Sequence, residues 1–138
     1  MSDNFVIKFA SLEHKKFYLE NIKKCIYKDV YHESLIYTLG ISNDCRGHIH
    51  EIFDFKTDLV KIDCIHSGWI TSGSARVIRL AFNLYNNGTP TTIPIDEKDV
   101  DALTEEYHNY LPGNLFCCSY APYFLEAIKI RFPEFCHI

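Results

Sequence analysis

Thr71-Ser72-Gly73-Ser74-Ala75-Arg76-Val77-Ile78-Arg79-Leu80-Ala81-Phe82-Asn83-Leu84-Tyr85 decides the fold. Its hydroxyl-rich start offers a helix cap at Thr71, Ser72 or Ser74. Counted from Ser72, the residues Ser72, Arg76, Arg79 and Asn83 recur at helical spacing and form one polar stripe. Around that stripe stand Val77, Ile78, Leu80, Ala81, Phe82 and Leu84. A helix that is apolar nearly all round belongs inside a fold. Asn86-Asn87-Gly88 then ends it, and Pro90 follows.

Working outward, the same reading gives more helices. Ser11 caps a helical pattern that runs to about Tyr27, with Phe17, Tyr18, Ile22, Cys25 and Ile26 on one face. Asp29 caps a second, carrying Leu35 and Leu39, and Gly40 offers a left-handed stop. Ser42 or Asp44 starts a third through Ile49, Ile52 and Phe53. Asp63 is expected to cap a single turn, Cys64-Ile65-His66. Asp96 to Tyr110 reads as a helix with acids in its first turn, where the helix dipole favours them. Leu111-Pro112-Gly113-Asn114 reads as a turn. The last helix runs from Ala121 to Arg131, with Pro122 tolerated at its start. Phe5 to Phe9 and Thr91 to Ile95 are the two extended stretches. The expected fold is mainly α, a compact bundle of five or six helices with at most a small β element. An α+β arrangement is the alternative if the two extended stretches pair.

With 138 residues, 47% hydrophobic, the chain suits a single globular domain over 1–138. Ten Phe, nine Tyr and one Trp supply an aromatic-rich core. The net charge of −4 argues against direct DNA binding, which calls for a basic face. It leaves room for a small anion held by a few arginines. No apolar run approaches a membrane span of roughly 18 residues, and the first residues lack signal-peptide character. A cytoplasmic location is therefore expected, with the six cysteines reduced.

The polar stripe carries the functional expectation. A helix N-terminus flanked by arginines is a ready anion site. The expected ligand-binding residues are Thr71, Ser72, Ser74, Arg76, Arg79 and Asn83, joined by Arg46 from Asp44-Cys45-Arg46. The competing view has the hydroxyls capping the helix and the arginines pairing with internal acids such as Asp44 or Asp54. No P-loop ending and no G-x-S-x-G elbow is present. His48-x-His50 and Cys64-x-His66 lack the ligand spacing of a zinc knuckle, so no metal or cofactor is expected. Glu105-Glu106 reads as a solvated helix face. The aromatic residues near the C-terminus read as core, although Tyr120-Ala121-Pro122-Tyr123-Phe124 can leave a ring free to stack.

Five motifs support a resemblance that spans nearly the whole chain. They are Tyr37-Thr38-Leu39-Gly40-Ile41, Asp44-x-Arg46, Gly68-Trp69-x-Thr71-Ser72-Gly73-Ser74, Arg79-Leu80-Ala81-Phe82-Asn83-Leu84, and Tyr120-Ala121-Pro122-Tyr123-Phe124-x-Glu126-Ala127-Ile128-Lys129. Together they resemble an uncharacterised family of small proteins from Gram-positive bacteria, their phages and mobile elements. In that family's pattern Cys45 stands where Thr is usual, and Ile70 where Gln is usual. The resemblance implies a phage or mobile-element setting and, by association, action against host defence. Three functional expectations follow. The first is a non-enzymatic binding protein for a phosphate or nucleotide-like ligand, without an identified catalytic residue. The second is an inhibitor that blocks a host protein complex through its acidic or aromatic surface. The third is a small enzyme that uses a Cys or His.

Overall fold

The central helix forms where the stripe predicts it. In the computed structural model, which describes residues 5–93 and 100–138, α5 spans Ser72–Asn86 and starts at an N-cap on Thr71. Eight of its residues are buried, from Ser74 to Leu84. Asn87 closes it in the left-handed conformation, φ 56°, a region that asparagine tolerates better than most residues.

Around it the chain is mainly helical. Helix α1 spans Leu12–Ile22 and α2 spans Val30–Leu39. Short helices α3, Asn43–Gly47, and α4, Ile49–Ile52, are separated at His48, where the backbone leaves helical geometry. A 3-10 turn covers Ile62–His66. Then come α6, Val100–His108, α7, Pro112–Leu115, and α8, Ala121–Arg131. Ser11, Asp29 and Ser42 cap α1, α2 and α3 through their side chains, each accepting from the backbone N–H three residues on. Helix α1 ends five residues earlier than its apolar pattern suggests. The stretch Leu111 to Asn114, read as a turn, tightens into α7, with Pro112 at its start.

Helices α2 and α5 share the most extensive interface, and α8 packs on α2 as well. Leu35, Ile36, Tyr37, Leu39, Val77, Ile78 and Phe82 meet in one hydrophobic core with Phe124 and Ala127 of α8. No described helix is long and apolar enough to cross a membrane.

The β structure lies elsewhere than expected. Strands β1, Phe53–Asp54, and β2, Leu59–Val60, form a two-residue antiparallel hairpin, with Phe53 opposite Val60 and Asp54 opposite Leu59. Asp54 holds the turn by accepting from the N–H groups of Lys56 and Thr57 at 2.9 and 3.3 Å. Residues 5–9 form no strand, and side chains satisfy the backbone of Lys8. The Lys8 N–H donates to Glu126 at 2.6 Å, and the Lys8 carbonyl accepts from the Tyr37 hydroxyl at 2.5 Å. Residues 91–93 are not strand either. Pro94, Ile95 and the expected helix start at Asp96 lie outside the described residues.

Candidate functional site

The first turn of α5 is built as a capping box. The Ser74 N–H donates to the Thr71 hydroxyl at 3.1 Å, and the Thr71 N–H donates to the Ser74 hydroxyl at 2.7 Å. Ser74 is 1% exposed, so its hydroxyl is committed to the cap. The Ala75 N–H makes the first intrahelical bond, to the Thr71 carbonyl at 2.9 Å. The N–H groups of Ser72 and Gly73 precede that bond and have no intrahelical acceptor. Thr71 and Ser72 are exposed.

Arg76 lies one turn on, on the same stripe and half-buried. Its Nε donates to the Asn114 carbonyl at 2.9 Å. Nη1 reaches the Ser72 carbonyl at 3.4 Å, and Nη2 reaches the exposed Cys117 thiol at 3.7 Å. Among the described residues Arg76 has no carboxylate partner. The Tyr120 ring lies against the same turn, since a Cβ placed on Gly73 would stand 3.3 Å from Tyr120 Cε2. Gly73 is what lets the ring approach. Thr71, Ser72, Arg76 and the half-buried Tyr120 therefore share one face at the start of α5.

The other expected residues are engaged elsewhere. Arg79 forms a two-pronged ion pair with Glu106, Nε to Oε1 at 3.0 Å and Nη2 to Oε2 at 3.2 Å. Both side chains are 17% exposed. The pairing acid is thus neither Asp44 nor Asp54. Glu106 does not belong to a solvated face; it is the counter-charge of a core helix. Asn83 donates to the Gly88 carbonyl at 2.7 Å and fastens the end of α5. Arg46 donates to the Gly40 carbonyl at 2.7 Å and so satisfies the end of α2.

Among the described residues no hydrogen bond joins a cysteine thiol to a histidine ring. All six thiols are free. Burial pushes the Cys25 thiol up to about 11, and those of Cys45 and Cys64 up to about 12. None of these three is a thiolate at neutral pH. His48 stacks on Trp69, with ring centroids 4.1 Å apart and planes 6° from parallel. Among the described residues no group of three or more His, Cys, Asp and Glu side chains is placed to hold a metal ion.

Two polar sites escaped the sequence reading. His32 is 3% exposed and lies between two carboxylates. Its Nδ1 meets Asp29 at 2.7 Å and its Nε2 meets Asp58 at 2.6 Å. Both neighbours are carboxylates, an arrangement that favours the protonated ring, which can donate to both. Burial alone would lower its pKa, but the hydrogen bonds and charges of Asp29 and Asp58 hold it above the ordinary value. Tyr85 completes the cluster by donating to the Asp58 carbonyl at 2.8 Å. Asp29-x-x-His32 was visible as a one-turn pair, whereas nothing local pointed to Asp58. Arg131 is 7% exposed and closes the far end of α5. It donates to the Leu84 carbonyl at 2.9 Å and to Asn87 at 2.7 Å, with its guanidinium carbon 3.9 Å from the Tyr31 ring centre.

A model of a family of unknown function, DUF6075, matches residues 4–138. The chain belongs to that family. No curated protein and no solved structure matches it. What DUF6075 membership adds is that the family's match takes in α5, α6, α7 and α8 together, which are the elements that build both ends of the arginine stripe.

Proposed function

We propose that the protein is a non-enzymatic binding protein that takes an anionic, nucleotide-like ligand at the first turn of α5. One observation carries this reading: the Arg76 guanidinium has no carboxylate partner among the described residues, and it reaches back to the Ser72 carbonyl in the first turn, where the Ser72 and Gly73 N–H groups have no intrahelical acceptor. Phosphate oxygens suit that combination of donors and positive helix end. The Tyr120 ring against Gly73 offers a face on which a base can stack. The expected ligand set narrows to Thr71, Ser72 and Arg76, with Tyr120 added. Ser74, Arg79, Asn83 and Arg46 support the frame.

Thermal unfolding with inorganic phosphate, AMP and ATP tests this. A ligand at a hundred times its Kd adds about 2.7 kcal/mol, which raises the midpoint by several degrees. Arg76→Ala is expected to keep the fold and remove that rise. If no phosphate compound stabilises the wild type, the reading is wrong.

The Arg79–Glu106 pair favours a second reading, in which the stripe is wholly structural and the protein blocks a host complex through its acidic or aromatic surface. The family resemblance supports the phage or mobile-element setting that such an inhibitor needs. Capture of the same host protein by wild type and by Arg76→Ala would support this second reading, and capture of nothing from host lysate would end it.

A further inference from the structure

Further along the stripe from Arg76, the Arg79–Glu106 pair forms part of the wall of a cavity of about 110 Å³. Ile62, Ile65, Ile78 and Phe82 line it with hydrocarbon. Thr91, Thr92 and Tyr110 also border it. An apolar-lined cavity with a few fixed polar groups is the common form of a small-molecule site.

The polar groups decide what such a cavity accepts. The Tyr110 hydroxyl donates to the Pro90 carbonyl and is spent. The His66 ring is bonded to the Thr92 hydroxyl at 2.6 Å. Glu106 accepts from Arg79 through both oxygens, and its Oε2 also accepts from Asn109 at 3.3 Å. Arg79 gives Nε and Nη2 to Glu106, which leaves Nη1 as the guanidinium nitrogen without a partner among the described residues. The ion pair carries no net charge, and the carboxylate within it repels a second carboxylate. The free donor therefore suits an uncharged acceptor. An apolar cavity of about 150 Å³ holds a benzene ring. This one takes a slightly smaller body.

We propose that this cavity is a binding site for a compact, uncharged molecule of about five heavy atoms, with a short hydrocarbon body against Ile62, Ile65 and Phe82 and one carbonyl acceptor for Arg79. A short amide or ketone has this chemistry. The site is separate from the phosphate-type site proposed at Arg76, and neither depends on the other.

Titration of the full chain with propionamide, followed by two-dimensional NMR, tests the proposal. The expected result is saturable shifts, in the millimolar range, of the Phe82 ring and Arg79 Nε–H resonances. Propionate has the same shape with a negative charge, and is expected to bind at least about tenfold more weakly. Thr91→Trp and Ile65→Phe each add bulk at a lining residue. Either variant whose remaining spectrum shows the native fold is expected to lose the shifts. The proposal is overturned by absent or non-saturating shifts up to tens of millimolar, or by shifts that persist in a folded filled variant. Equal binding of propionate would overturn the uncharged-ligand assignment.

Discussion

Gly40 shows how a residue can be placed correctly for the wrong reason. Its sequence position marks the end of α2, and the chain does turn there. Yet its φ is −71° and ψ −13°, ordinary right-handed geometry. What the position requires is space. A Cβ on Gly40 would sit 2.7 Å from His14 Cδ2 and 2.8 Å from Phe17 Cδ1. His14 and Phe17 are buried, so their rings cannot swing aside. Gly40→Ala is therefore expected to cost about 2 kcal/mol through overpacking. A Cβ on Gly113 meets nothing within 4 Å, so Gly113→Ala is expected to be neutral or slightly stabilising. Urea unfolding of the two variants checks the contrast. Equal stabilities would show that the core yields at His14. A close approach of this kind joins residues from different helices, and no local pattern in the sequence reports it.

At the level of the element, α5 was the most legible part of the chain. Apolar residues all round a polar stripe give its type and its burial, while Thr71, Ser72 and Ser74 all offer a cap and the structure uses Thr71. The partners of the stripe were not legible, because Glu106 lies 27 residues from Arg79 and its helix is amphipathic enough to read as solvated. The two arginines thus divide into different roles, and their stabilities should differ. Arg79→Ala leaves Glu106 without its counter-charge in a mostly buried position, and is expected to cost about 3 kcal/mol. Arg76→Ala removes bonds to surface carbonyls and is expected to cost less than about 1 kcal/mol. Replacing Arg79 and Glu106 together, by Met and Leu, should restore most of the loss, because no unpaired charge then remains. Chemical denaturation of the three variants measures this. A double variant no more stable than Arg79→Ala would mean that the pair also holds α6 in place by geometry.

Across the whole molecule, two buried histidines whose pKa values shift in opposite directions set how stability responds to pH. His14 donates from Nε2 to the Tyr37 carbonyl at 2.7 Å and accepts the Ala10 N–H on Nδ1 at 3.0 Å, so it is neutral. Burial is the chief cause that lowers its pKa from 6.5 to about 4. Between those values the unfolded chain takes up a proton that the folded ring refuses. Stability therefore falls as pH drops, by up to 1.36 kcal/mol per pH unit and about 3 kcal/mol in all. His32 acts in the other direction. Its pKa is raised, so its contribution is complete below its ordinary 6.5 and is lost as pH rises through the folded value. Asp29, whose pKa is lowered, keeps its contribution above its ordinary 3.8 and loses it as pH falls through the folded value. These three groups together predict a stability maximum near pH 6.5, with His14 shaping the acid limb and His32 the alkaline one. His32→Gln removes the double donor between α2 and the β1–β2 hairpin. The difference in unfolding midpoint between wild type and His32→Gln, followed upward from about pH 5, isolates that limb because other titrations cancel. The difference should be largest at the acid end and shrink as the wild-type ring loses its proton. A difference that stays constant to alkaline pH would mean that His32 is held neutral, with one of its two carboxylates protonated in its place.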